Sequence, residues 1–407
     1  MPRPAGAADG EPTMGSVGAK QTADPARAPE LRRPRLLFLV TEDWYFCSHR
    51  LSLARAAARA GFDVAVATRV RRHGEAIRDE GIRLISLPWS RRSTHAWNEL
   101  RTLGRLLSLY LRERPDLVHH VALKPVLYGS FIARLTRTPR VINALAGFGY
   151  SFTSSGKRAA VLRRILRTTV RRLSNRPGTR VLVQNPDDER LLRDSGTVRA
   201  AHLVRIPGSG VDVRRFHAEE EPPGTPRVVL VSRMLWSKGV EEFVAAARVL
   251  RESGVPVQAV LVGDPDPENP QSIPARTLEE WAGAGTVQWL HHTDDIGSVW
   301  ANAHVAVLPS WREGLPKTLL EAAACGRPIV ATDVPGCREV VVAGENGYLV
   351  PVRDSAALAD AIERLVRDPE LRRRMGTASR ERAVRLFSEE VVIEKVLALY
   401  REMLAAK

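Results

Sequence analysis

Short apolar runs alternate with helix-like segments along most of the chain, and this alternation limits the possible folds more than any other feature. The first run is residues 36–40, and further strand-like segments follow at 64–67, 117–121 and 141–145. Continuous apolar runs of this kind are typical of parallel strands buried on both faces. Segments between them, such as residues 96–112, have helical spacing. The pattern predicts a doubly wound parallel sheet of the α/β class.

A second series of the same kind follows a segment that reads PGSGVD at residues 207–212. Such punctuation is typical of a linker. We predict a first Rossmann-like domain over 34–207, to which a C-terminal helix at about 388–407 returns. We predict a hinge over 208–225 and a second Rossmann-like domain over 226–387. The two domains are expected to face each other across a crevice, where ligands bind beyond the carboxyl ends of the strands.

Composition indicates a protein of the reducing cytosol. Apolar residues make up 44% of the 407 residues, and no run approaches the ~20 apolar residues that span a membrane. Residues 1–33 lack an apolar core for a secretory signal and predict a disordered tail. Cys47, Cys325 and Cys337 are scattered, which favours neither a disulfide framework nor a zinc site.

Positive charge is concentrated in the first half of the chain. Residues 34–225 hold twice as many Lys and Arg as Asp and Glu, whereas the two signs nearly balance over 226–385. A basic first half favours an anionic partner, either nucleic acid, an acidic membrane or a polyphosphate substrate.

A loop and helix at 309–325 carry two acids, Glu313 on the loop and Glu321 inside the helix. The helix begins near residues 316–318, where free backbone N–H groups and a positive dipole end suit a phosphate. Glu321 can accept hydrogen bonds from sugar hydroxyls. Together these features suit a sugar nucleotide. The alternative is an ordinary βαβ unit with solvent-exposed acids.

A basic turn follows the first strand of the second domain. Arg233 and Lys238 lie on it, and two cations at the end of a strand can neutralise a diphosphate. Gly239 lets the backbone approach closely, and Gly263 marks a similar turn after the next strand, which we assign to donor binding. A solvated basic turn without a ligand is the alternative.

The order of several motifs resembles a known enzyme family. SRMLWSKG, LVGD, LPSWREGLPKTLLEAAACGRPIVATDVPGCREVV and GENGYLV are similar to the donor domain of family 4 retaining glycosyltransferases, which have the GT-B fold. IPGSGVD together with GFGYSFTS resembles the CapM-like branch, which builds capsules and lipid-linked oligosaccharides. The resemblance covers about residues 34–400.

The resemblance implies a role for each motif residue. Glu313 is expected to contact the transferring sugar, Glu321 to bind the ribose, and Arg233 and Lys238 to hold the departing diphosphate. Backbone N–H groups are expected to serve the sugar hydroxyls and phosphates at four positions, Gly314, Leu315, Lys317 and Thr318. We expect no cofactor and no metal, because the cations and helix amides can stabilise the leaving group; the sequence Asp264-Pro265-Asp266 has a metal-binding spacing that we interpret as incidental.

The acceptor side departs from the family in one respect. Many members have a His where this chain has Ala146, so no His is carried over. His119 and His120 end the preceding strand, and we select His120 as an acceptor-binding candidate, with a structural role as the alternative. The leaving phosphate itself can accept the acceptor's proton in retaining enzymes of this type.

Four further residues are assigned to the acceptor. Lys124 and Arg50 lie near predicted strand ends and are expected to meet its diphosphate, and Gly147 and Tyr150 belong to the GFGYSFTS motif. Residues 156–176 hold eight Lys and Arg, no acid, and an apolar stripe at helical spacing. This pattern favours an anionic membrane surface. The alternative is that the stripe packs on the sheet and the arginines are solvated.

We therefore expect a peripheral enzyme on the cytoplasmic face of the cell membrane. It is expected to move a hexose or N-acetylhexosamine from a UDP-sugar to a polyprenyl-diphosphate-linked saccharide, and no nucleic-acid recognition module is expected. One alternative is a sugar-nucleotide epimerase of the same fold. The other is a non-catalytic subunit that binds sugar nucleotides.

Overall fold

Two parallel β-sheets form the framework of the protein. The computed structural model describes residues 32–88, 96–145 and 157–406. The first sheet has the strand order β3-β2-β1-β4-β5-β6-β7. Its strands are β1 (Arg35–Glu42), β2 (Asp63–Arg69), β3 (Arg83–Ser86), β4 (Leu117–Val121), β5 (Arg140–Ala144), β6 (Thr179–Val183) and β7 (Leu203–Arg205). The central strands β1 and β4 are buried over nearly their whole length because helices cover both faces of the sheet.

The second sheet has the strand order β10-β9-β8-β11-β12-β13, again parallel in every pair. Its strands are β8 (Arg227–Val231), β9 (Gln258–Val262), β10 (Gln288–Leu290), β11 (Val305–Leu308), β12 (Ile329–Thr332) and β13 (Gly347–Val350). In each sheet, the order reverses beside the first strand, which creates a crevice at the carboxyl ends. The predicted α/β class with two doubly wound sheets is confirmed.

Helices connect the strands. In the first half they are α1 (Asp43–His49), α2 (Leu51–Arg59), α3 (Gly74–Asp79), α4 (Ala96–Glu113), α5 (Leu123–Leu135), α6 (Lys157–Ser174) and α7 (Pro186–Asp194). In the second half they are α8 (Val240–Glu252), α9 (Ala275–Gly283), α10 (Ile296–Ala301), α11 (Lys317–Ala324), α12 (Pro335–Val340), α13 (Ser355–Arg367), α14 (Pro369–Phe387) and α15 (Glu389–Ala405). Among the described residues, no helix has the length and apolar content needed to cross a bilayer.

The last helix joins the first sheet. Val392, Val396 and Tyr400 of α15 are buried in the core beneath β1 and β4. The Tyr400 hydroxyl lies 2.5 Å from Nδ1 of His119 on β4. The chain thus crosses between the two sheets twice, before β8 and before α15.

Four short helices, α1, α3, α7 and α12, were not expected from the pattern of apolar residues. The first of them, α1, begins at Asp43. The buried carboxylate of Asp43 accepts hydrogen bonds from the backbone N–H groups of Arg71 and His73, at 2.6 and 2.9 Å. This tertiary contact, invisible to periodicity, fixes the start of α1. Helix α7 was missed for a similar reason, because its cap Asn185 is also a tertiary contact, as described below.

Candidate active site

The loop between β11 and α11 offers unused hydrogen-bond donors. Pro316 precedes the helix and makes no side-chain cap. Among the described residues, no group accepts a hydrogen bond from the backbone N–H groups at four positions, Gly314, Leu315, Lys317 and Thr318. The Thr318 hydroxyl is also buried without a partner. A helix start with free donors is a site for a phosphate or a sugar hydroxyl.

Glu313 on this loop contacts the basic turn after β8. The Lys238 Nζ lies 2.5 Å from Glu313 Oε1, and 10% of the Glu313 side chain is exposed. Gly239 has φ +73°, and a Cβ there would lie 2.1 Å from the Pro309 carbonyl oxygen. Only glycine allows this approach, so the turn and the loop form one unit.

Trp311 donates two hydrogen bonds that connect its loop to the turn after β8 and to helix α8. Its backbone N–H donates to the Ser237 carbonyl at 3.0 Å. Its indole N–H donates to Glu242 Oε1 on α8 at 2.8 Å. The Arg353 guanidinium lies 4.0 Å from the centre of the indole ring. These contacts fix the spacing between Lys238 and Glu313.

Arg233 lies at one wall of a cavity of about 720 Å³ between the two sheets, a size suited to a small-molecule ligand. Its guanidinium donates to Asp266 Oδ2 at 2.7 Å. Gly263 lines the same cavity with φ +134°, and a Cβ there would lie 2.0 Å from the Ser232 carbonyl oxygen. Asp264 instead accepts a hydrogen bond from His291 at 2.9 Å. The described residues contain no cluster of three metal-ligating side chains.

Glu321 lies one turn inside α11, and only 13% of its side chain is exposed. Burial raises the pKa of Glu321 to about 7, against the opposing charges of Lys317 and Arg215. The Lys317 ammonium lies 3.9 Å from Glu321 and also donates to the Ser48 carbonyl in the first domain. The Glu321 carboxyl can therefore change charge near neutral pH.

His120 does not fit the acceptor role that we expected for it. Its side chain is fully buried, with Nε2 2.7 Å from the Tyr110 hydroxyl and Nδ1 2.8 Å from Asn143 Oδ1. Both ring nitrogens are occupied, and a Cβ added to Gly129 would lie 2.5 Å from the ring. His120 therefore has a structural role, the alternative considered above.

Lys124 and Arg50 differ from each other. The Lys124 ammonium is paired with Glu99 at 2.9 Å, so its charge is already balanced. Arg50 is 6% exposed, its Nε has no hydrogen-bond partner, and no ion pair to it is formed within the described residues. It lines a small cavity with His119, whose Nε2 is also unpartnered. Arg50 therefore keeps a buried charge with no carboxylate partner among the described residues, which suits an anion-binding residue.

The remaining acceptor candidates, Gly147 and Tyr150, lie outside the described residues, as do Ala146 and residues 1–31. The predicted basic helix is present as α6. Its apolar side chains Leu166, Val170 and Leu173 are buried in the protein core. The exposed side is basic, with Arg164, Arg167, Arg171 and Arg172. The stripe thus packs on the sheet, whereas the arginines face solvent.

Sequence reasoning missed three residues that shape this site. Asn185, at the start of α7, donates to the Gly314 carbonyl across the crevice, and Trp311 and Glu242 set the geometry of the Glu313 loop. Asn185-Pro186 directly after an apolar run is a helix-start signal that periodicity alone overlooks. No sequence signal identifies the distant partners of these residues.

Two facing Rossmann-like sheets, with a lysine–carboxylate pair and free helix-terminal donors between them, define a glycosyltransferase of the GT-B type. Comparison with known families agrees. A model of "Glycosyl transferases group 1" matches residues 225–368, and a model of "Glycosyl transferase 4-like" matches residues 35–185. The two glycosyltransferase models together match both domains, so the chain is a glycosyltransferase, which confirms the resemblance noted in its motifs.

Curated relatives cover most of the chain. The "N,N'-diacetylbacillosaminyl-diphospho-undecaprenol alpha-1,3-N-acetylgalactosaminyltransferase" of Campylobacter jejuni is 26% identical, over 80% of this chain and 87% of that protein. The capsular polysaccharide glycosyltransferase CapM of Staphylococcus aureus is 24% identical, over 77% and 84%. The "UDP-Gal:alpha-D-GlcNAc-diphosphoundecaprenol alpha-1,3-galactosyltransferase" of Escherichia coli is 24% identical, over 81% and 86%.

Solved structures share the fold. Sucrose-phosphate synthase of Thermosynechococcus elongatus superimposes with a TM-score of 0.74 at 24% identity, over 92% of this chain and all of that one. Anabaena HepE, solved with UDP and glucose, gives a TM-score of 0.74 at 18% identity, over 91% and 100%. The predicted GT-B fold is confirmed.

Proposed function

We propose that the protein is a retaining, metal-independent glycosyltransferase. It moves a hexose or N-acetylhexosamine from a UDP-sugar to a polyprenyl-diphosphate-linked saccharide in the synthesis of capsule, O-antigen or exopolysaccharide. The observation that carries this proposal is the Lys238–Glu313 contact at 2.5 Å, beside a helix start whose donors are unused.

Each part of a UDP-sugar has a complementary group in the site. Lys238 and Arg233 are cations for the diphosphate, and the free N–H groups at the start of α11 add neutral donors. Glu321 is a hydrogen-bond acceptor for the ribose hydroxyls. Glu313 is a hydrogen-bond acceptor for the transferring sugar, and its contact with Lys238 holds the carboxylate next to the diphosphate position.

The relatives support the choice of donor and acceptor. The Escherichia coli relative is named for UDP-galactose and a diphosphoundecaprenol-linked N-acetylglucosamine, and the Campylobacter jejuni relative for a diphospho-undecaprenol-linked sugar. Both alignments cover more than three quarters of this chain. A lipid-diphosphate acceptor also agrees with the buried cation of Arg50, which has no carboxylate partner among the described residues.

The reaction is a substitution at the anomeric carbon. The bond from that carbon to the UDP oxygen breaks while an acceptor hydroxyl forms the new bond on the same face, so the configuration is retained. The hydroxyl proton passes to the departing phosphate oxygen, which requires no protein base. Negative charge grows on the diphosphate in the transition state, and Lys238, Arg233 and the helix amides stabilise it there more than in the ground state.

The acceptor's lipid locates the enzyme at the cytoplasmic face of the cell membrane. The exposed arginines of α6 and the net charge of +15 favour an anionic surface. Attachment is peripheral and mainly electrostatic in this proposal, because Leu166, Val170 and Leu173 of α6 are already buried in the protein.

Transfer assays test the proposal. The protein is incubated with EDTA, a synthetic polyprenyl-diphosphate-linked monosaccharide, and UDP-glucose, UDP-galactose, UDP-N-acetylglucosamine or UDP-N-acetylgalactosamine. We expect transfer from at least one donor. Transfer that EDTA abolishes contradicts the metal-independent mechanism. Conversion of a UDP-sugar to its epimer without transfer indicates an epimerase instead, and binding without any reaction indicates a non-catalytic subunit.

A further inference from the structure

Asn185 connects the first domain to the loop that carries Glu313. It follows β6, is fully buried, and caps α7 by accepting the Asp188 N–H at Oδ1, 2.8 Å away. Its amide nitrogen donates to the Gly314 carbonyl at 2.8 Å and to Asp188 Oδ2 at 3.0 Å. Because Oδ1 must face an N–H donor, the amide NH₂ group must face the two acceptors.

Two glycines also lie close to the segment formed by Gly314 and Leu315. Gly208 lies so near Leu315 that a Cβ on Gly208 would be 2.6 Å from Leu315 Cδ2. Gly336, at the start of α12, lies against the Gly314 carbonyl oxygen, and a Cβ there would be 2.6 Å from it. The Gly314–Leu315 peptide thus accepts a hydrogen bond from Asn185 of the first domain, Gly336 lies against its carbonyl oxygen, and Gly208 lies against the Leu315 side chain.

The hydrogen bond from Asn185 to the Gly314 carbonyl also determines the direction of the Leu315 N–H. In a trans peptide the C=O and the N–H point in opposite directions. A hydrogen bond from Asn185 to the Gly314 carbonyl therefore directs the Leu315 N–H away from Asn185, and it also polarises that N–H as a donor. The Leu315 N–H has no acceptor among the described residues.

We propose that Asn185 is a positioning residue that aims the Leu315 N–H at the transferring sugar, so that the donor sugar is recognised only when the two domains are closed on each other. This inference rests on the proposed function, because it requires a UDP-sugar at the loop. Binding of the nucleotide part of the donor, which the second domain provides, does not depend on Asn185. Binding of the sugar part does depend on it.

The test compares the affinities of UDP and of the four UDP-sugars named above, by calorimetric titration. Asn185→Ser keeps an oxygen to cap α7 but has no amide to reach Gly314. We expect UDP-sugar binding to weaken about threefold to tenfold, the effect of one lost hydrogen bond, and UDP binding to stay within about twofold. Asp354→Ser, an exchange of the same kind at the cap of α13, is the matched control and should change neither.

A second variant tests the same peptide without touching α7. Gly336→Ala places a methyl group against the Gly314 carbonyl, and we expect the same selective loss of UDP-sugar affinity. Equal weakening of UDP and UDP-sugars, or no change in either variant, overturns the role of Asn185. If the unmodified protein binds neither UDP nor any of the four UDP-sugars, the proposed function fails instead, so the two failures are distinguishable.

Discussion

Burial gives Glu321 an unusual proton affinity. Its pKa is raised from 4.5 to about 7, chiefly because the carboxylate loses water inside α11. A folded-state pKa above the unfolded value means that the carboxyl group stabilises the fold below about pH 4.5 and that this contribution is lost as the pH rises through 7. The ionised form is retained at a cost in stability, which is typical of a functional residue.

Glu321→Gln should therefore stabilise the protein at alkaline pH. At pH about 8 we expect its free energy of unfolding to exceed that of the unmodified protein by on the order of 1–3 kcal/mol. The difference should shrink toward pH 5, where Glu321 itself becomes neutral. Urea unfolding at the two pH values measures this. The same variant should bind UDP roughly tenfold or more weakly, and unchanged UDP affinity would refute the ribose assignment.

Lys238 should act mainly in the transition state. Its ammonium lies beside Glu313, where a diphosphate gains charge as it leaves. We expect Lys238→Gln to lower kcat by roughly 10²–10³, as for other removed charge-stabilising donors, with a smaller effect on KM. Arg248→Gln, an exposed residue on α8, is the control and should retain full activity. A loss confined to KM would mean that Lys238 binds substrate and transition state equally.

At this scale the sequence predicted which strand ends carry candidate residues, but not which of two neighbouring residues faces the crevice. Glu313, Arg233 and Lys238 could be selected because strand-end residues of parallel sheets share one edge. His120 was misplaced because neighbouring residues on a strand face opposite sides. His119 faces α15 and Arg50, whereas His120 faces Tyr110 on α4. The side to which His119 or His120 points depends on packing partners that are distant in sequence.

At the scale of elements, two strand-end loops act as one structural unit. Trp311 ties the loop after β11 to both the turn after β8 and helix α8. Glu242 is buried and its Oε2 has no hydrogen-bond partner. The indole N–H of Trp311 is therefore the donor that satisfies this carboxyl group. The position of Glu313 relative to Lys238 follows from this contact.

Trp311→Phe should lower both stability and transfer. Loss of the indole N–H leaves a buried carboxylate without a donor, and we expect unfolding to become easier by about 1–3 kcal/mol. Denaturant unfolding and steady-state transfer rates measure the two effects. Glu242→Gln keeps an oxygen for the indole and should retain most activity. Equal activity of Trp311→Phe and the unmodified protein would show that the tie does not set the site geometry.

Long helices were easier to predict than short ones. The apolar spacing located α4, α6, α14 and α15 to within a few residues. The six-residue helices α3 and α12 give too few turns for periodicity to identify, and the start of α1 depends on the Asp43 contacts with residues 71–73. A local sequence pattern therefore predicts a helix only where burial of that helix's own apolar face stabilises it.

At the scale of the whole molecule, charge is segregated between the halves. The first half carries the excess of cations, and α6 presents a row of exposed arginines. Each cation near an anionic surface contributes about 1 kcal/mol. Because Leu166, Val170 and Leu173 of α6 are buried, the exposed arginines of this helix are the main groups that meet the membrane in the proposed function.

Replacing Arg164, Arg167 and Arg171 with Gln should weaken binding to phosphatidylglycerol vesicles at least about tenfold. Sedimentation at low salt measures this, and added salt should reduce binding of the unmodified protein. The control replaces three exposed arginines of α14, Arg373, Arg374 and Arg385, and lowers the net charge equally. Equal loss in both triple variants would assign binding to overall charge and not to α6.

The contacts between the two domains could not be predicted from the sequence. Asn185 and Gly314 are 129 residues apart, and no periodicity relates them. The sequence predicted two facing sheets and the residues at their edges. The way in which the first domain shapes the donor loop depends on tertiary structure.

The anomeric configuration of the product tests the central claim most directly. UDP-sugars of this class carry an α-linked diphosphate, so a retaining enzyme must form an α-linked product. We predict that transfer to the synthetic lipid-diphosphate saccharide, run in EDTA, gives the α-anomer by NMR and that Lys238→Gln gives the same anomer more slowly. A β-linked product, or transfer that requires an added divalent metal, would contradict the account.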